Sequence, residues 1–165
     1  MSKKKIEKTL VEKILDQNQI NYEPITFEIQ KSNSKQKNFT ILHGEVDENI
    51  IYKTLVLEGN KTGPLVGVVP ITEHLNEKKL AKISGNKKVN MVPLKNLIKT
   101  TGYEHGANTP IGIWHKYKYP IYIDKTAENL SNFYVSSGKI AHSIKVNPKQ
   151  IANLIGAPFV DLLQE

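Results

Sequence analysis

The stretch IYKTLVLEGNKTGPLVGVV, residues 51–69, decides the fold. Two runs rich in apolar and β-branched residues, 50–57 and 65–69, flank the segment Gly59-Asn-Lys-Thr-Gly63. Glycine at both ends of this segment permits positive φ angles, so its composition is typical of a β-hairpin connection. The stretch therefore predicts two antiparallel strands, with Lys53 in the middle of the first.

Lys53 and Thr54 are polar residues inside this apolar strand. An ammonium group in such a place is either buried unfavourably or used by the protein, although a strand lysine that reaches solvent is the commoner arrangement. Further along, Thr101-Gly-Tyr-Glu-His-Gly-Ala-Asn-Thr-Pro-Ile-Gly112 contains more glycine than an ordinary connection needs. A lone cation opposite exposed backbone amides would favour a substrate that carries or develops negative charge.

The remaining sequence alternates irregularly between helical and strand patterns. Helices are predicted over residues 6–15, 75–84 and 148–155, after Pro93, and from Asp124 through Leu130. Further strands are predicted over residues 20–29, 89–92, 119–123, 133–136 and 140–146, with a Ser-Ser-Gly turn between the last two. The polar run 31–38 is predicted to be a mobile surface loop. This irregular order, with two hairpins, predicts an α+β fold with a mixed sheet.

Length and charge limit the class of protein. A chain of 165 residues without a repeat or linker predicts one domain over residues 1–165. The formal net charge of +7 favours a polyanionic partner such as nucleic acid. All 23 cationic side chains are lysine, so bidentate guanidinium contacts are missing and recognition by charge and shape is expected. A lysine-rich source proteome explains the missing arginine equally well.

Several kinds of chemistry are disfavoured by what the sequence lacks. It has no cysteine, which excludes disulfides, thiolate catalysis and cysteine metal sites. Its five histidines have no HExxH or clustered spacing, and it has no Gly-x-Ser-x-Gly elbow. We therefore expect no metal, no cofactor and no serine nucleophile. Because there is no signal-peptide pattern and no apolar span of about 18 residues, a cytoplasmic protein is expected.

Six short motifs follow one another in a characteristic order. They are Lys53-Thr54-Leu55-Val56, Lys78-Lys79-Leu80-Ala81, Lys87-Lys88-Val89, Thr101-Gly-Tyr103, Gly106-x-x-x-Pro110-x-Gly112 and Tyr134-Val-Ser136-x-Gly138. Each motif is weak alone, but all six lie in register between Lys53 and Gly138, and the similarity around them runs from about Ile20 to Asp161. In this order the sequence resembles the YbaK/EbsC family of aminoacyl-tRNA deacylases, which is related to the editing domain inserted in bacterial prolyl-tRNA synthetases. Within that family it is most similar to the YbaK-type Cys-tRNA(Pro) deacylases.

The resemblance implies a fold and a reaction. The fold is an α+β domain in which helices surround a curved, barrel-like mixed sheet with a small pocket for the aminoacyl group. The reaction is hydrolysis of the ester at the tRNA 3′ end, without a metal or other cofactor. The implied substrate is Cys-tRNA(Pro), with Cys-tRNA(Cys) as an additional one. Prolyl-tRNA synthetase is the implied partner that selects the tRNA, and the chain itself is expected to be a monomer or weak dimer.

The resemblance also implies roles for individual residues. Lys53 matches the side chain regarded as essential, and Gly106 begins the segment that borders the reacting ester, so these two are the catalytic candidates. The candidates for substrate binding are Phe27, Thr54, Ala107, Pro110, Ser136 and Ser137. Backbone amides near Gly106 would stabilise an oxyanion, an effect worth roughly 3 to 4 kcal/mol per donor in other hydrolases. For a cysteinyl ester the substrate's own thiol can attack the carbonyl, so no protein nucleophile is required.

Several alternatives stay open at the level of sequence. Ser136 either hydrogen-bonds in the pocket or satisfies the turn backbone at Gly138. Thr54 likewise has either a role in the pocket or a structural one. Ala107 stands where many relatives have glycine, and Phe27 where a pocket tyrosine is frequent, so the preferred size of substrate is in doubt. His105 adjoins Gly106, but a surface histidine of the loop is the simpler account.

An aromatic and basic strip allows two interpretations. Trp114, Tyr117, Tyr119 and Tyr122 alternate with Lys116 and Lys118. The strip is either a base-stacking and phosphate-binding surface or ordinary packing. At the level of function, two alternatives to the cysteinyl deacylase remain: a deacylase for another small residue such as alanine or serine, and a catalytically silent module that binds tRNA or a synthetase. Salt-dependent tRNA binding without turnover is the signature of the silent module.

Overall fold

The computed structural model describes residues 8–30, 38–41 and 47–165, with side chains for 8–27 and 47–165. Its α-helices are Leu10–Gln17 (α1), Glu77–Ser84 (α2), Leu94–Thr101 (α3), Pro110–Tyr117 (α4) and Pro148–Ile155 (α5). Its strands are Tyr22–Gln30 (β1), Asn38–Ile41 (β2), Tyr52–Gly59 (β3), Gly63–Pro70 (β4), Val89–Met91 (β5), Ile121–Asp124 (β6), Phe133–Lys139 (β7), His142–Val146 (β8) and Phe159–Val160 (β9). In these ranges no helix is long and apolar enough to span a bilayer.

The predicted hairpin is confirmed. β3 and β4 pair antiparallel from Tyr52 opposite Pro70 to Gly59 opposite Gly63. The buried Asn86 side chain fastens the connection, because its Oδ1 accepts hydrogen bonds from the backbone N–H groups of Lys61 and Thr62 at 2.8 and 3.0 Å. A Cβ atom at Gly59 would overlap the Asn86 amide, so glycine is required there by close packing.

The described strands form two sheets. One has the order β5-β3-β4-β6-β9 and is mixed, because β4 and β6 run parallel while β3 and β4 run antiparallel. The other has the order β2-β1-β8-β7 and is antiparallel throughout. An isolated bridge between Ile51 and Tyr134 connects them. The α+β class with a mixed sheet is therefore confirmed, and these two sheets do not close into a barrel.

Successive residues of β4 pack into separate cores on the two faces of the mixed sheet. Val66 and Val68 belong to a core that also contains residues of α1, α3, α4, α5 and the second sheet. Leu65 and Val69 belong to a smaller core with Leu80 of α2 and Leu162 of the C-terminal segment. The alternation follows from the two-residue period of a strand. α2 therefore lies on the opposite face of the mixed sheet from the other helices.

Most helix ends agree with the sequence signals. α1 begins after Thr9, whose hydroxyl accepts from the Glu12 N–H in a capping box. α2 and α5 end at Gly85 and Gly156, both in the left-handed conformation. Pro93 occupies the N-cap position of α3. The predicted helix from Asp124 through Leu130 is shorter than expected, a single 3₁₀ turn over Lys125–Ala127.

Other predictions need correction. Residues 110–117 form α4, where the sequence suggested only the end of a glycine-rich loop and an aromatic strip. Ser136 to Gly138 is not a turn, because β7 continues through Lys139 with a bulge and the chain reverses at Ile140 and Ala141. The strands β2 and β9 were not predicted. The predicted mobile loop falls on residues 31–37, outside the described residues, apart from Asn38, which begins β2.

Candidate functional site

The main cavity of the described structure lies between the first half of β3 and the second sheet. Its volume is about 440 Å³. Strand β5 pairs with β3 only over Leu57–Gly59, and no other described strand pairs with residues 52–55 of β3 on that side. The other walls come from β1, the start of α3, the segment after α3, and the β7–β8 hairpin. The polar or titratable residues that line it are Tyr52, Lys53, Thr54, His105, Asn108, Ser136, His142 and Ser143.

Lys53 supplies a cation to this cavity. Burial lowers the pKa of its ammonium group, and burial is the whole cause of the shift. The ion pairs of the described residues, which join Lys8 to Asp16 and Lys79 to Asp161 and Glu165, do not involve Lys53. None of the described cavity-lining residues is an aspartate or glutamate. The ammonium group is therefore available to a ligand.

Thr54 contributes a hydroxyl without a partner. Its Oγ1 is buried and forms no hydrogen bond, the one side-chain atom of the described residues in that situation. Leaving a buried hydroxyl unpaired costs about 1 to 3 kcal/mol, so such an atom in a cavity wall is typical of a place where a ligand completes the hydrogen bonding. Thr54 and Lys53 both line the cavity, but Thr54 Oγ1 itself is buried beneath the cavity surface.

The segment after α3 is held in place by a buried pair of side chains. Thr101 donates from its Oγ1 to Asn108 Oδ1 at 2.8 Å and accepts from the Tyr103 N–H at 3.1 Å. Among the described residues, Asn108 Nδ2 has no hydrogen-bond partner, and the residue lines the cavity. Between these anchors Gly106 adopts φ of 90°, a conformation that other residues rarely reach. This Gly106 loop, residues 102–109, therefore presents backbone and one amide side chain to the cavity.

The Tyr103 side chain packs so closely against two of the motif glycines that a Cβ atom at either position would crowd it. A Cβ atom at Gly112 would overlap the Tyr103 hydroxyl, and one at Gly138 would lie 3.1 Å from Tyr103 Cε1. The ring is therefore packed between the start of α4 and the bulge of β7. Burial, and to a lesser degree the nearby Tyr117 hydroxyl, raise the pKa of Tyr103. This packing fixes the Gly106 loop against the second sheet.

Ser136 performs both roles that the sequence left open. Its hydroxyl accepts from the Gly138 N–H at 3.2 Å, which satisfies the bulge backbone. It donates to the Ala107 carbonyl at 3.2 Å, which joins β7 to the Gly106 loop, and it also lines the cavity. A hydroxyl engaged in these two bonds is poorly placed to act as a nucleophile.

The structure brings together five of the eight predicted site residues. Lys53, Thr54, Phe27, Ser136 and Gly106 line the cavity. The other three are buried outside its lining: Ala107, Pro110, which is the first residue of α4, and Ser137, which donates to the His142 carbonyl at 3.2 Å. Ala107 does not have a positive φ angle, so its methyl group introduces no backbone strain.

Other lining residues were not singled out from the sequence. Asn108 lies inside the glycine-rich motif, and the motif was the signal that could have identified it. His142 and Ser143 follow the β7–β8 turn and reach the cavity only because β8 pairs with β1. His142 Nδ1 lies 3.5 Å from Thr26 Oγ1. Ala141 at the turn has φ of 64°, and its carbonyl accepts from the Phe27 N–H at 2.7 Å.

Comparisons with known proteins give a consistent result. Residues 37–154 match the family model described as the aminoacyl-tRNA editing domain. Over 163 residues, 98% of either chain, the sequence is 38% identical to an Enterococcus faecalis protein described as "Putative Cys-tRNA(Pro)/Cys-tRNA(Cys) deacylase EbsC".

Solved structures share the fold. A crystal structure described as "a putative trans-editing enzyme for prolyl tRNA synthetase" superposes with a TM-score of 0.66 at 24% identity, over 72% of this chain and 73% of that one. The hypothetical protein APE2540 superposes with a TM-score of 0.75 at 19% identity, over 93% of this chain and 99% of that one.

Proposed function

Because the chain belongs to the family of aminoacyl-tRNA editing domains and is an aminoacyl-tRNA deacylase, we propose that it removes cysteine from mischarged tRNA(Pro). The similarity to a protein described as a Cys-tRNA(Pro)/Cys-tRNA(Cys) deacylase supports this choice of amino acid. Prolyl and cysteinyl groups are similar in volume, so a synthetic site separates them poorly by binding alone and a second, hydrolytic site is useful.

The observation that carries the proposal is the composition of the cavity. One ammonium group and one free amide nitrogen, with the buried unpaired Thr54 hydroxyl close to them, lie at a space of about 440 Å³ whose other walls are mainly apolar. Small-molecule sites have this character, with few polar groups in an apolar pocket of about 300 to 1,000 Å³. The space accommodates a small aminoacyl group and part of the terminal nucleoside.

Positioning and charge stabilisation supply the chemistry. An aminoacyl ester is already activated, so its cleavage mainly requires orientation and a place for the developing oxyanion. The Gly106 loop borders the cavity with its backbone, and Lys53 offers a positive charge whose proton is held less tightly than usual. Lys53 is therefore suited to stabilise the oxyanion or to give a proton to the departing ribose oxygen.

A cysteinyl substrate has a nucleophile of its own. Its thiol loses a proton, the sulfur attacks the ester carbonyl, the bond from carbonyl carbon to ribose oxygen breaks, and the ribose oxygen takes up a proton. The products are the free tRNA and a cyclic thioester of cysteine. For this route the cavity needs only to fold the side chain back onto the carbonyl, which gives the attack a high effective molarity. In this mechanism Ser136 remains structural.

Selection of the tRNA belongs to a partner. The cavity is large enough to read the amino acid and part of the terminal nucleoside, but not the distant parts of a tRNA. We therefore assign the choice of tRNA(Pro) to an association with prolyl-tRNA synthetase. The fold shared with a structure described as a trans-editing enzyme for prolyl-tRNA synthetase supports this assignment.

The test is deacylation of Cys-, Ala- and Pro-tRNA(Pro) by the purified protein and by Lys53→Ala. We expect rapid loss of the cysteinyl ester alone, abolished by the substitution. Faster loss of alanine would transfer the assignment to a deacylase for another small residue, and absence of turnover would support a binding module. Adding prolyl-tRNA synthetase should increase the rate for Cys-tRNA(Pro) more than for Cys-tRNA(Cys), and equal increases would contradict the proposed partner.

A further inference from the structure

An exposed surface extends from the cavity to the end of α4. We call it the α3–α4 surface and define it by eight residues: Leu94, Lys95, Ile98 and Lys99 of α3, and Lys116, Tyr117, Lys118 and Tyr119 at the end of α4. Leu94 and Ile98 are 68% and 62% exposed, although both are large apolar residues. The buried side of α3 is formed by Leu97 and Thr101, so α3 directs its other face to solvent.

The two parts of this surface are joined by contacts. Tyr119 donates from its hydroxyl to the Thr100 carbonyl at 2.9 Å, which fastens the end of α4 to the last turn of α3. Lys116 Nζ lies against Gly102, where a Cβ atom would be 2.8 Å away from it. At its other end α3 lines the cavity with Leu94. The eight residues of α3 rise by about 12 Å, so the surface begins at the cavity and leads away from it.

The charge of this part of the chain is almost entirely positive. From Leu94 to Ile123 the sequence contains four lysines and one acidic residue, Glu104. From the neighbouring sheet, the Glu58 carboxylate acts on Tyr119, whose pKa is raised by burial first and by Tyr117 and Glu58 to a lesser extent. Such an excess of lysines over carboxylates favours the binding of a polyanion.

Lys118 occupies a position that normally favours glycine. Three other helices, α2, α3 and α5, end at glycines in the left-handed conformation, whereas α4 ends at Lys118 with φ of 58°. Its ammonium group lies 3.5 Å from the centre of the Trp114 ring. Beside it, the rings of Tyr117 and Tyr119 are stacked, with centroids 4.9 Å apart. The backbone strain at Lys118 is thus accompanied by a cation placed next to aromatic rings.

We propose that the α3–α4 surface binds the acceptor arm of the tRNA while the cavity receives the aminoacyl end. The lysines neutralise backbone phosphates, and the exposed Leu94 and Ile98 contact the unpaired 3′ nucleotides together with the half-buried Tyr117 and Tyr119. The identity of the RNA rests on the proposed function, whereas the location of the surface rests on the contacts described above. The strip of alternating lysines and aromatic residues thereby has a role in binding as well as in packing.

The test compares two triple variants with equal loss of charge. The first, Lys99→Ala with Lys116→Ala and Lys118→Gly, removes cations from the α3–α4 surface. The matched control, Lys78→Ala with Lys82→Ala and Lys87→Ala, removes exposed cations from α2 and the residues after it, where the chain packs against the other face of the mixed sheet. Binding of uncharged tRNA is measured by fluorescence anisotropy between about 50 and 200 mM salt.

We expect the first variant to reduce the slope of log affinity against log salt by about three, since each phosphate contact contributes about one. The control should reduce it by clearly less. For the deacylation reaction, the first variant should raise KM for Cys-tRNA(Pro) more than it lowers kcat. It should also reduce the preference for the full tRNA over a cysteinyl ester of adenosine. Equal slopes for the two variants, or an unaltered preference, would overturn the proposal.

Lys118→Gly alone separates binding from folding. Glycine relieves the strained backbone, so the melting temperature should equal or exceed that of the wild type while KM for tRNA rises. An unaltered KM together with a retained melting temperature would count against the surface. If the wild type deacylates no tRNA, the proposed function fails, but the anisotropy comparison still decides whether this surface binds RNA.

Discussion

Burial disfavours the charged form of Lys53, and its ammonium group has no carboxylate partner among the described residues. We expect Lys53→Met, which keeps the length and removes the charge, to raise the free energy of unfolding at neutral pH while it reduces deacylation by about 100-fold or more. Urea unfolding and single-turnover deacylation measure the two effects. The matched control is Lys79→Met, which should lower stability because Lys79 bonds Asp161 at 3.0 Å and the Leu163 carbonyl at 2.8 Å.

The stability effect at Lys53 has a defined pH dependence. Its folded-state pKa is lowered below the ordinary 10.5, so the unfolded chain binds more protons between these two values. Stability of the wild type therefore rises with pH in that window, and the advantage of Lys53→Met decreases toward pH 10.5. A difference between wild type and variant that stays constant up to that pH would contradict burial as the cause.

Thr54 provides the second prediction at this scale. Thr54→Val removes a hydroxyl that is buried without a partner, so we expect the free energy of unfolding to rise by about 1 kcal/mol or more. If the substrate uses this hydroxyl, kcat/KM falls at the same time. Thr126→Val is the control, since Thr126 Oγ1 and the Tyr52 hydroxyl are 2.7 Å apart and its loss should destabilise the protein. Lower stability of Thr54→Val would show that its hydroxyl has a partner.

At the scale of elements, the Gly106 loop depends on one backbone angle. A Cβ atom at Gly106 would find Ile140 Cγ1 no closer than 3.9 Å, so space is available and the φ of 90° is the obstacle. Gly106→Ala should lower the free energy of unfolding by roughly 1 to 2 kcal/mol. It should also reduce deacylation, because the loop amides shift.

Gly63 supplies the control for this prediction. It has φ of 74° in the β3–β4 hairpin, and nothing lies within 4 Å of the position of its Cβ atom. Gly63→Ala should therefore cause a similar loss of stability while kcat/KM is retained. Both quantities are obtained from thermal unfolding and initial rates of deacylation. Equal losses of activity in the two variants would indicate a general effect of instability.

Elements with local signals were predictable from the sequence. The β3–β4 hairpin is determined by apolar runs around a glycine-bounded segment, and α5 by Asn147, Pro148 and the terminal Gly156. α4 has comparable signals in Thr109 and Pro110, which act as N-cap and first residue. They were hidden because the glycine-rich motif was interpreted as one loop. The bulge of β7 could not be predicted, because it depends on Tyr103 packing against Gly138 from a distant part of the chain.

In the candidate site, too, residues within sequence motifs were predictable, whereas properties that depend on tertiary contacts were not. Motif matching located Lys53, Gly106 and Ser136, which tertiary structure then brings to one cavity. It also included Ser137, whose buried hydroxyl donates to the His142 carbonyl outside the cavity lining. The unpaired state of Thr54 Oγ1 depends on which side chains tertiary packing places around it. No pattern in the sequence reports that.

For the whole molecule, the two faces of the mixed sheet separate the active side from a supporting core. Leu162 is fully buried in the core beside α2, and its N–H donates to the buried Asp124 carboxylate at 2.9 Å. Leu97 is buried on the other face, and it also lines the cavity. The same substitution at these two positions should therefore lower stability in both cases but have different effects on substrate choice.

We expect Leu162→Ala and Leu97→Ala each to lower the free energy of unfolding by about 2 to 5 kcal/mol, the usual result of truncating a buried leucine. Measured well below the melting temperature, Leu162→Ala should retain the ratio of kcat/KM for Cys-tRNA(Pro) to that for Pro-tRNA(Pro). Leu97→Ala enlarges the cavity and leaves room for the bulkier prolyl ring, so this ratio should fall. None of the described residues that form the core around Leu162 lines the cavity; Leu55, which packs against that core, does. A fall of the same size in Leu162→Ala would therefore mean that selectivity depends on the rigidity of the whole domain.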